Sequence, residues 1–256
     1  ALICLGVAVA LWSNSWSGRM AAGLSVAAAV VALTPVLRAA DVARDLPNQL
    51  RAAFGDAVPT RPSPLVFGDL FRGISPSEVQ AEKFVYGHIE EEELSFDFYR
   101  AQAPGSAPVV VVIHGGSWQS GDNKDFIPMD RYLASRGFAV ADIIYRLAPR
   151  WTFPAASDDA RAAIAFLRSR ADFLKIDPNR IVLLGRSAGG QIALTVAYSG
   201  KDAGIRGVIS FYAPSDLHWS WEHPGNPLVI DTRAVLTAYL GGTPAEASSS
   251  YDAASP

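Results

Sequence analysis

Cysteine is all but absent from this chain: Cys4 is the only one in 256 residues, and it sits in an apolar run. One thiol excludes a disulfide framework and a metal–thiolate site within a single chain. Histidine is scarce as well, and the four present (His88, His114, His218 and His223) do not fall at metal-ligand spacing. Basic charge is not in excess. The chain has 22 Lys and Arg against 25 Asp and Glu, a net charge of −3 and a pI of about 5.8, and no basic patch marks a nucleic-acid partner. Internal repeats and low-complexity tracts are missing too. The acidic run Glu90, Glu91, Glu92 and Glu93 reads as a solvated turn before a strand.

Charge is missing altogether from residues 20–37, which are interrupted only by Ser25, Thr34 and Pro35. As a helix this stretch measures about 27 Å, close to the roughly 30 Å hydrocarbon core of a bilayer. Residues 1–12 are also apolar and read as the end of an earlier span whose start is cut off. Residues 13–19 then form a short turn, with Trp12 and Trp16 suited to the interface. A signal peptide with Arg19 as its basic region is the competing reading. The apolar stretch ahead of Arg19 argues against it. The expectation is therefore a membrane hairpin over residues 1–38, with the catalytic part leaning to the cytoplasmic side because Arg38, Arg44 and Arg51 follow the span. A Pro-containing polar linker with at most one short helix follows over residues 39–78.

From Val79 onward the pattern alternates strand and helix. Residues 94–99 suit an early antiparallel strand. Residues 109–113 (four valines and an isoleucine) suit a strand buried on both faces. Helix 126–136, strand 138–144, helix 157–171, strand 180–184, helix 190–198 and strand 207–212 follow. This is α/β order with a mostly parallel sheet, and ligands of such sheets bind at the carboxyl ends of the strands.

Two motifs stand at those ends. After the strand 180–184 comes Gly185-Arg186-Ser187-Ala188-Gly189, a Gly-x-Ser-x-Gly between a strand and a helix. A serine at such a turn is held in a strained conformation with its hydroxyl pointing out and a helix N-terminus beneath it. It is the candidate nucleophile. After residues 109–113 comes His114-Gly115-Gly116-Ser117-Trp118. Its backbone N–H groups, at Gly115, Gly116 and Ser117, are candidate donors to an oxyanion, with the N–H of Ala188 as a further one. Trp118 is expected as a wall of the substrate pocket. His114 is expected to hold the glycine turn, because a general base in this arrangement follows the serine. Arg146 is expected to tie loops together, and Asp158 and Asp159 to favour a helix start by their charge.

Residues 109–212 resemble the α/β-hydrolase family of esterases and lipases, most of all its acetylesterase and hormone-sensitive-lipase-like branch. The resemblance is carried by His114-Gly115-Gly116-Ser117-Trp118, Tyr145-Arg146-Leu147-Ala148-Pro149, Phe153-Pro154-Ala155-Ala156, Asp177-Pro178-Asn179-Arg180 and residues 185–190. Ser117 stands where many members of the branch have a third glycine, and a backbone N–H survives that change. The resemblance implies an α/β-hydrolase domain over residues 79–256, a carboxylic-ester hydrolase of small-molecule esters and no cofactor.

The fold requires Ser, then an acid, then His along the chain. After Ser187 the histidines are His218 and His223, and the aspartates are Asp202, Asp216, Asp231 and Asp252. Asp216 follows strand 207–212, where an acid is conceivable. Both histidines lie in the same Trp-, Pro- and Gly-bearing segment, which reads as a loop or lid. Residues 251–256 (Tyr-Asp-Ala-Ala-Ser-Pro) close no domain, and a similar phrase in the family precedes the strand that leads to the acid. The acid and the base are thus expected beyond Pro256. The leading reading is a membrane-anchored serine esterase of short to medium acyl chains. Prenylcysteine methylesterase and arylformamidase activities are its nearest variants. A non-catalytic hydrolase-like domain that binds a lipid or a partner is the alternative of a different class.

Overall fold

The computed structural model describes residues 15–55, 78–200 and 202–256. The chain divides into two compact units, Ala1–Gly73 and Ile74–Pro256. In the first, the described residues form one helix, α1 (Trp16–Phe54), with its flanking Ser15 and Gly55. Ser15 caps the start by accepting from the Gly18 N–H at 3.2 Å. Gly55, at φ 79°, ends the helix by donating its N–H to the Arg51 carbonyl. At 1.5 Å per residue the 39-residue helix is about 58 Å long. Its first half is apolar, with Leu24, Val26, Val30, Val31, Leu33 and Leu37 exposed, and is long and apolar enough to cross a membrane. Its second half is charged and laced by Arg44–Asp41 (3.0 Å) and Gln49–Asp45 (2.8 Å).

Two expectations change here. The turn expected over residues 13–19 gives way to helix from Trp16, and the linker expected over residues 39–78 is helical as far as Phe54. Ala, Leu, Arg and Gln dominate residues 38–54 and are strong helix formers. The loss of apolar residues after Leu37 therefore ends the apolar face and not the helix, even with Pro47 inside it. The first span expected at residues 1–12 lies outside the described residues.

The second unit is built on a six-stranded sheet in the order β1-β2-β4-β3-β5-β6. Its strands are β1 (Ala81–Ile89), β2 (Glu92–Tyr99), β3 (Ala107–Ile113), β4 (Ala139–Ile143), β5 (Ile176–Arg186) and β6 (Ile205–Phe211). β1, β2 and β4 pair antiparallel, and β4, β3, β5 and β6 pair parallel. The crossovers are helical: α2 (Ile127–Ser135), α3 (Ala155–Ser169) with the short α4 (Ala171–Leu174), and α5 (Ala188–Ser199). Side chains alternate between the two faces of a strand. Val109, Val111, Ile113, Ile181 and Leu183 pack against Ala160 and Ile164 of α3 and Ile192 and Val196 of α5. Val110, Val112, Val140 and Leu184 pack against Ala134 and Leu133 of α2. β3 is thereby buried on both faces, as its unbroken β-branched run predicts.

The α2 face also holds acid. Asp142 of β4 and Asp130 of α2 are both buried, opposite Asp97 of β2, which pairs with Asp142 across the strands. Burial raises the carboxyl of Asp130 to about 7 and that of Asp142 well above its usual range. Two carboxyls in an apolar layer are both raised because neither can be ionised cheaply beside the other.

After β6 the chain is helical where a loop was expected. It forms α6 (Leu217–Glu222), α7 (Thr232–Leu240) and α8 (Ser248–Ala253). Leu217, Leu236, Tyr239, Leu240, Tyr251 and Ala254 join the core on the α5 side. The segment 251–256, read as closing no domain, is thus fastened by the burial of Tyr251 and Ala254.

Candidate active site

Ser187 sits between the last residue of β5 and the first of α5, at φ 50° and ψ −122°. A left-handed φ costs a side-chain-bearing residue about 1–2 kcal/mol, so this conformation survives only because its surroundings hold it. Its N–H donates to the Phe211 carbonyl at the end of β6 (2.9 Å), and its carbonyl accepts from Gln191 one helical turn on (3.1 Å). The side chain does not cap α5. Ser187 thus stands at the positive end of a twelve-residue helix. Gly189 is required here because a Cβ in its place would fall on the carbonyl oxygens of Ile113 and His114. Through that contact the helix start is pressed onto the end of β3.

The turn after β3 meets the elbow directly. A Cβ on Gly115 would lie 3.1 Å from the Arg186 carbonyl and 3.5 Å from the Ser187 Cβ. Gly116 (φ 117°), Ser117 (φ 55°) and Trp118 (φ 58°) follow, three consecutive residues at positive φ. The Gly116 carbonyl accepts from the N–H groups of Gln119 and Ser120, each at 3.0 Å, and the Ser120 carbonyl leaves no room for a side chain at Gly116. Gly115, Gly116, Ser117, Ala188 and Ser187 are therefore gathered at the carboxyl ends of two neighbouring parallel strands, β3 and β5.

Trp118 lies elsewhere than expected. It is in the core and not on an open pocket wall: its ring stacks on Tyr239 at 4.3 Å and 6°, and its indole N–H donates to Gln191 at 3.0 Å. His114 holds the turn as expected. It is buried, stacks on Tyr145 at 4.2 Å, and directs Nδ1–H to the Gly115 carbonyl at 2.7 Å. Burial pushes its pKa down, and its Nε2 has no partner among the described residues. Arg146 ties loops as expected through a multiply bonded pair with Asp159 (2.7 Å), so that Asp159 is a guanidinium partner more than a helix-start charge. Arg186, beside the nucleophile, lies over the Phe126 ring on the α2 face, 3.9 Å from Asp125.

The downstream acids and histidines divide by role. Asp216, the conceivable acid, instead caps α6 by accepting from the Trp219 N–H at 2.8 Å. His223 stacks on Trp219 and bonds its carbonyl. His218 pairs with Asp252 at 2.9 Å, across 34 positions of sequence, a pairing that no spacing announces. His218 also lines a surface cavity of about 480 Å³ with Trp221, Glu222, Arg233 and Thr243. Among the described residues no group of three or more His, Cys, Asp or Glu could hold a metal ion.

A serine on a strand–helix elbow, above a mostly parallel sheet whose first strands run antiparallel, is the arrangement of the α/β-hydrolases. Residues 96–256 match the BD-FAE family, and the chain belongs to that family. It is similar to the carboxylesterase NlhH of Mycobacterium tuberculosis, with 41% identity over 98 residues that take in 38% of this chain and 31% of NlhH. Among solved structures it is similar to a hyperthermophilic esterase from the archaeon Pyrobaculum calidifontis, at 29% identity and a TM-score of 0.58, over 71% of this chain and 60% of that one. A bacterial heroin esterase matches at 30% identity and a TM-score of 0.50, over 59% and 50%. The chain thus spans about a third of the curated relative and half to three-fifths of these two structures.

Proposed function

We propose that the protein is a serine carboxylesterase acting on small esters of short to medium acyl chains. The observation that carries this is the conformation of Ser187, at positive φ on an elbow packed against Gly115. In this reading the Ser187 Oγ attacks the ester carbonyl carbon while a histidine takes its proton. The carbonyl oxygen becomes an oxyanion held by the N–H groups of Gly116, Ser117 and Ala188, with that of Gly115 beside them. The tetrahedral intermediate collapses, the histidine returns the proton to the leaving alcohol, and water releases the acid from the acyl-serine by the reverse steps. The acid and the histidine of this reading follow Ser187 along the chain, in the Ser–acid–His order of the fold. The apolar half of α1 anchors the protein in a membrane. Support comes also from the names of the relatives, which are esterases.

One observation favours a second reading of the base. His218 and Asp252 already form an oriented His–carboxylate pair, although in the order Ser–His–acid. The test is hydrolysis of p-nitrophenyl acetate, butyrate and octanoate, a prenylcysteine methyl ester and an N-formylarylamine by the product of the complete coding sequence. The proposal expects turnover of the shorter esters that Ser187→Ala abolishes. Equal activity in Ser187→Ala refutes it. A loss in His218→Ala as large as that in Ser187→Ala moves the base into this chain.

A further inference from the structure

We propose that Gln191 is a positioning residue that holds the oxyanion turn against the nucleophile's helix, acting through the indole N–H of Trp118. The inference rests on the esterase reading and extends it to a residue outside both motifs.

The turn needs holding. Gly116, Ser117 and Trp118 all sit at positive φ, and two of them carry side chains for which that region is costly. Relaxation of either residue would swing the peptide planes whose N–H groups face the oxyanion. The backbone bonds within the turn fix its own shape through the Gly116 carbonyl, and the Trp118 carbonyl accepts from Ala148 at 2.8 Å. The link to the nucleophile's own helix is the side chain of Trp118, which donates to Oε1 of Gln191 at 3.0 Å.

Gln191 is built for that link. It is fully buried on α5, one turn after Ser187, whose carbonyl accepts its N–H at 3.1 Å. Its Oε1 accepts from Trp118 and from the hydroxyl of Tyr239 (3.1 Å), while its Nε2 donates to Thr195 Oγ1 (2.9 Å) and to the Ala254 carbonyl (2.7 Å). An indole N–H only donates and a carbonyl only accepts, so the amide is oriented from both ends. Tyr239 both stacks on the Trp118 ring and shares the same Oε1, so indole and phenol are clamped together on one oxygen. A satisfied buried network of this kind specifies geometry. Here it joins the two backbone segments that must converge on a single substrate oxygen. A displacement near 1 Å in such a site costs on the order of 100-fold in rate.

The test uses two conservative variants and their combination. Trp118→Phe keeps a stacking ring and deletes the N–H. Gln191→Met keeps length and apolar volume and deletes the acceptor. With p-nitrophenyl butyrate below the melting temperature of each variant, kcat falls roughly 10- to 100-fold in either, with KM within about threefold. The double variant is no worse than the poorer single one, because both remove the same bond. Ser135→Ala, which removes a side-chain bond to the Tyr132 carbonyl on α2, away from the clamp, keeps kcat within about twofold of wild type. A readout independent of turnover is amide hydrogen exchange: the peptide covering residues 114–118 exchanges at least about tenfold faster in both single variants, with β5 unchanged. Unchanged kcat in folded Trp118→Phe, additive losses in the double variant, or unchanged exchange at residues 114–118 overturns the positioning role. A wild-type protein that hydrolyses no ester refutes the esterase reading instead, and the exchange result then decides the structural link alone.

Discussion

The buried acid pair makes the stability of this protein depend on pH in an unusual direction. Asp130 has its pKa raised from 3.8 to about 7 chiefly by burial, and Asp142 is raised well above its usual range by burial and by Asp130 itself. In the unfolded chain both carboxyls titrate near 4. The folded state therefore binds more protons than the unfolded one between about pH 4 and 7, and stability falls as pH rises across that window. The contribution is complete below pH 4 and is lost as pH passes through about 7 for Asp130, with Asp142 shifted in the same direction. At about 1.4 kcal/mol per pKa unit, the climb of Asp130 alone corresponds to roughly 4 kcal/mol. Asp142→Asn removes one titrating group and gives Asp130 an amide donor that favours its charged form. The wild-type slope between pH 5 and 7 should then exceed that of the variant by about 1.4 kcal/mol per pH unit, or about 3 kcal/mol over the range. For a protein of this size that is a melting shift of roughly 6–12 °C. Thermal unfolding followed by circular dichroism at pH 5, 6, 7 and 8 measures it, and the variant should be the more stable protein at pH 8. Parallel curves for wild type and variant would refute the account of a buried, protonated pair.

Four further outcomes follow from the site and the helix. Ser187→Ala should abolish ester hydrolysis and leave the melting temperature equal or higher, since it deletes one oxygen from a strained position; a folded variant with residual wild-type turnover would exclude Ser187. His223→Ala should keep most of the activity because its ring serves Trp219, and a kinetic comparison with His218→Ala separates a structural histidine from an in-chain base. Gly189→Val should destabilise by at least about 2–3 kcal/mol in a denaturant titration, because its Cβ would collide with the carbonyls of Ile113 and His114. Expressed from Ala1, the protein should fractionate with membranes; expressed from Asp41, without the apolar half of α1, it should not, and recovery of the unprocessed longer form in the soluble fraction would sink the anchor.

The parts of the site that are legible in the sequence are those with a local cause. The run 109–113 can only be a doubly buried strand, and a Gly-x-Ser-x-Gly between strand and helix has few uses, so β3, β5, α5 and Ser187 stand where periodicity puts them. β1 is obscure because it is an edge strand whose Glu82, Lys83 and His88 mask the apolar Phe84 and Tyr86 that pack on the core. α8 begins with three serines, poor helix formers, and is held by the burial of Tyr251 and Ala254, a tertiary cause with no local mark. Asp142 inside an apolar strand, and His218 opposite Asp252, acquire meaning only from partners brought in by the fold. Trp118 belongs to the same group: its place in the motif suggests a pocket, while its N–H is spent on a glutamine 73 positions away.

The clamp on that glutamine also bears on how the sequence can change over time. Trp118, Tyr239 and Ala254, from three separate segments, converge with Thr195 on one amide whose two lone pairs and two hydrogens are all committed. Losing any one partner strands a polar atom where water does not reach, so a single replacement is disfavoured until the others have moved. These positions are expected to vary as a block across descendants of this chain, with Gln191, Trp118 and Tyr239 exchanged together or retained together. Such linked inheritance would reveal the clamp to anyone holding an alignment and no coordinates.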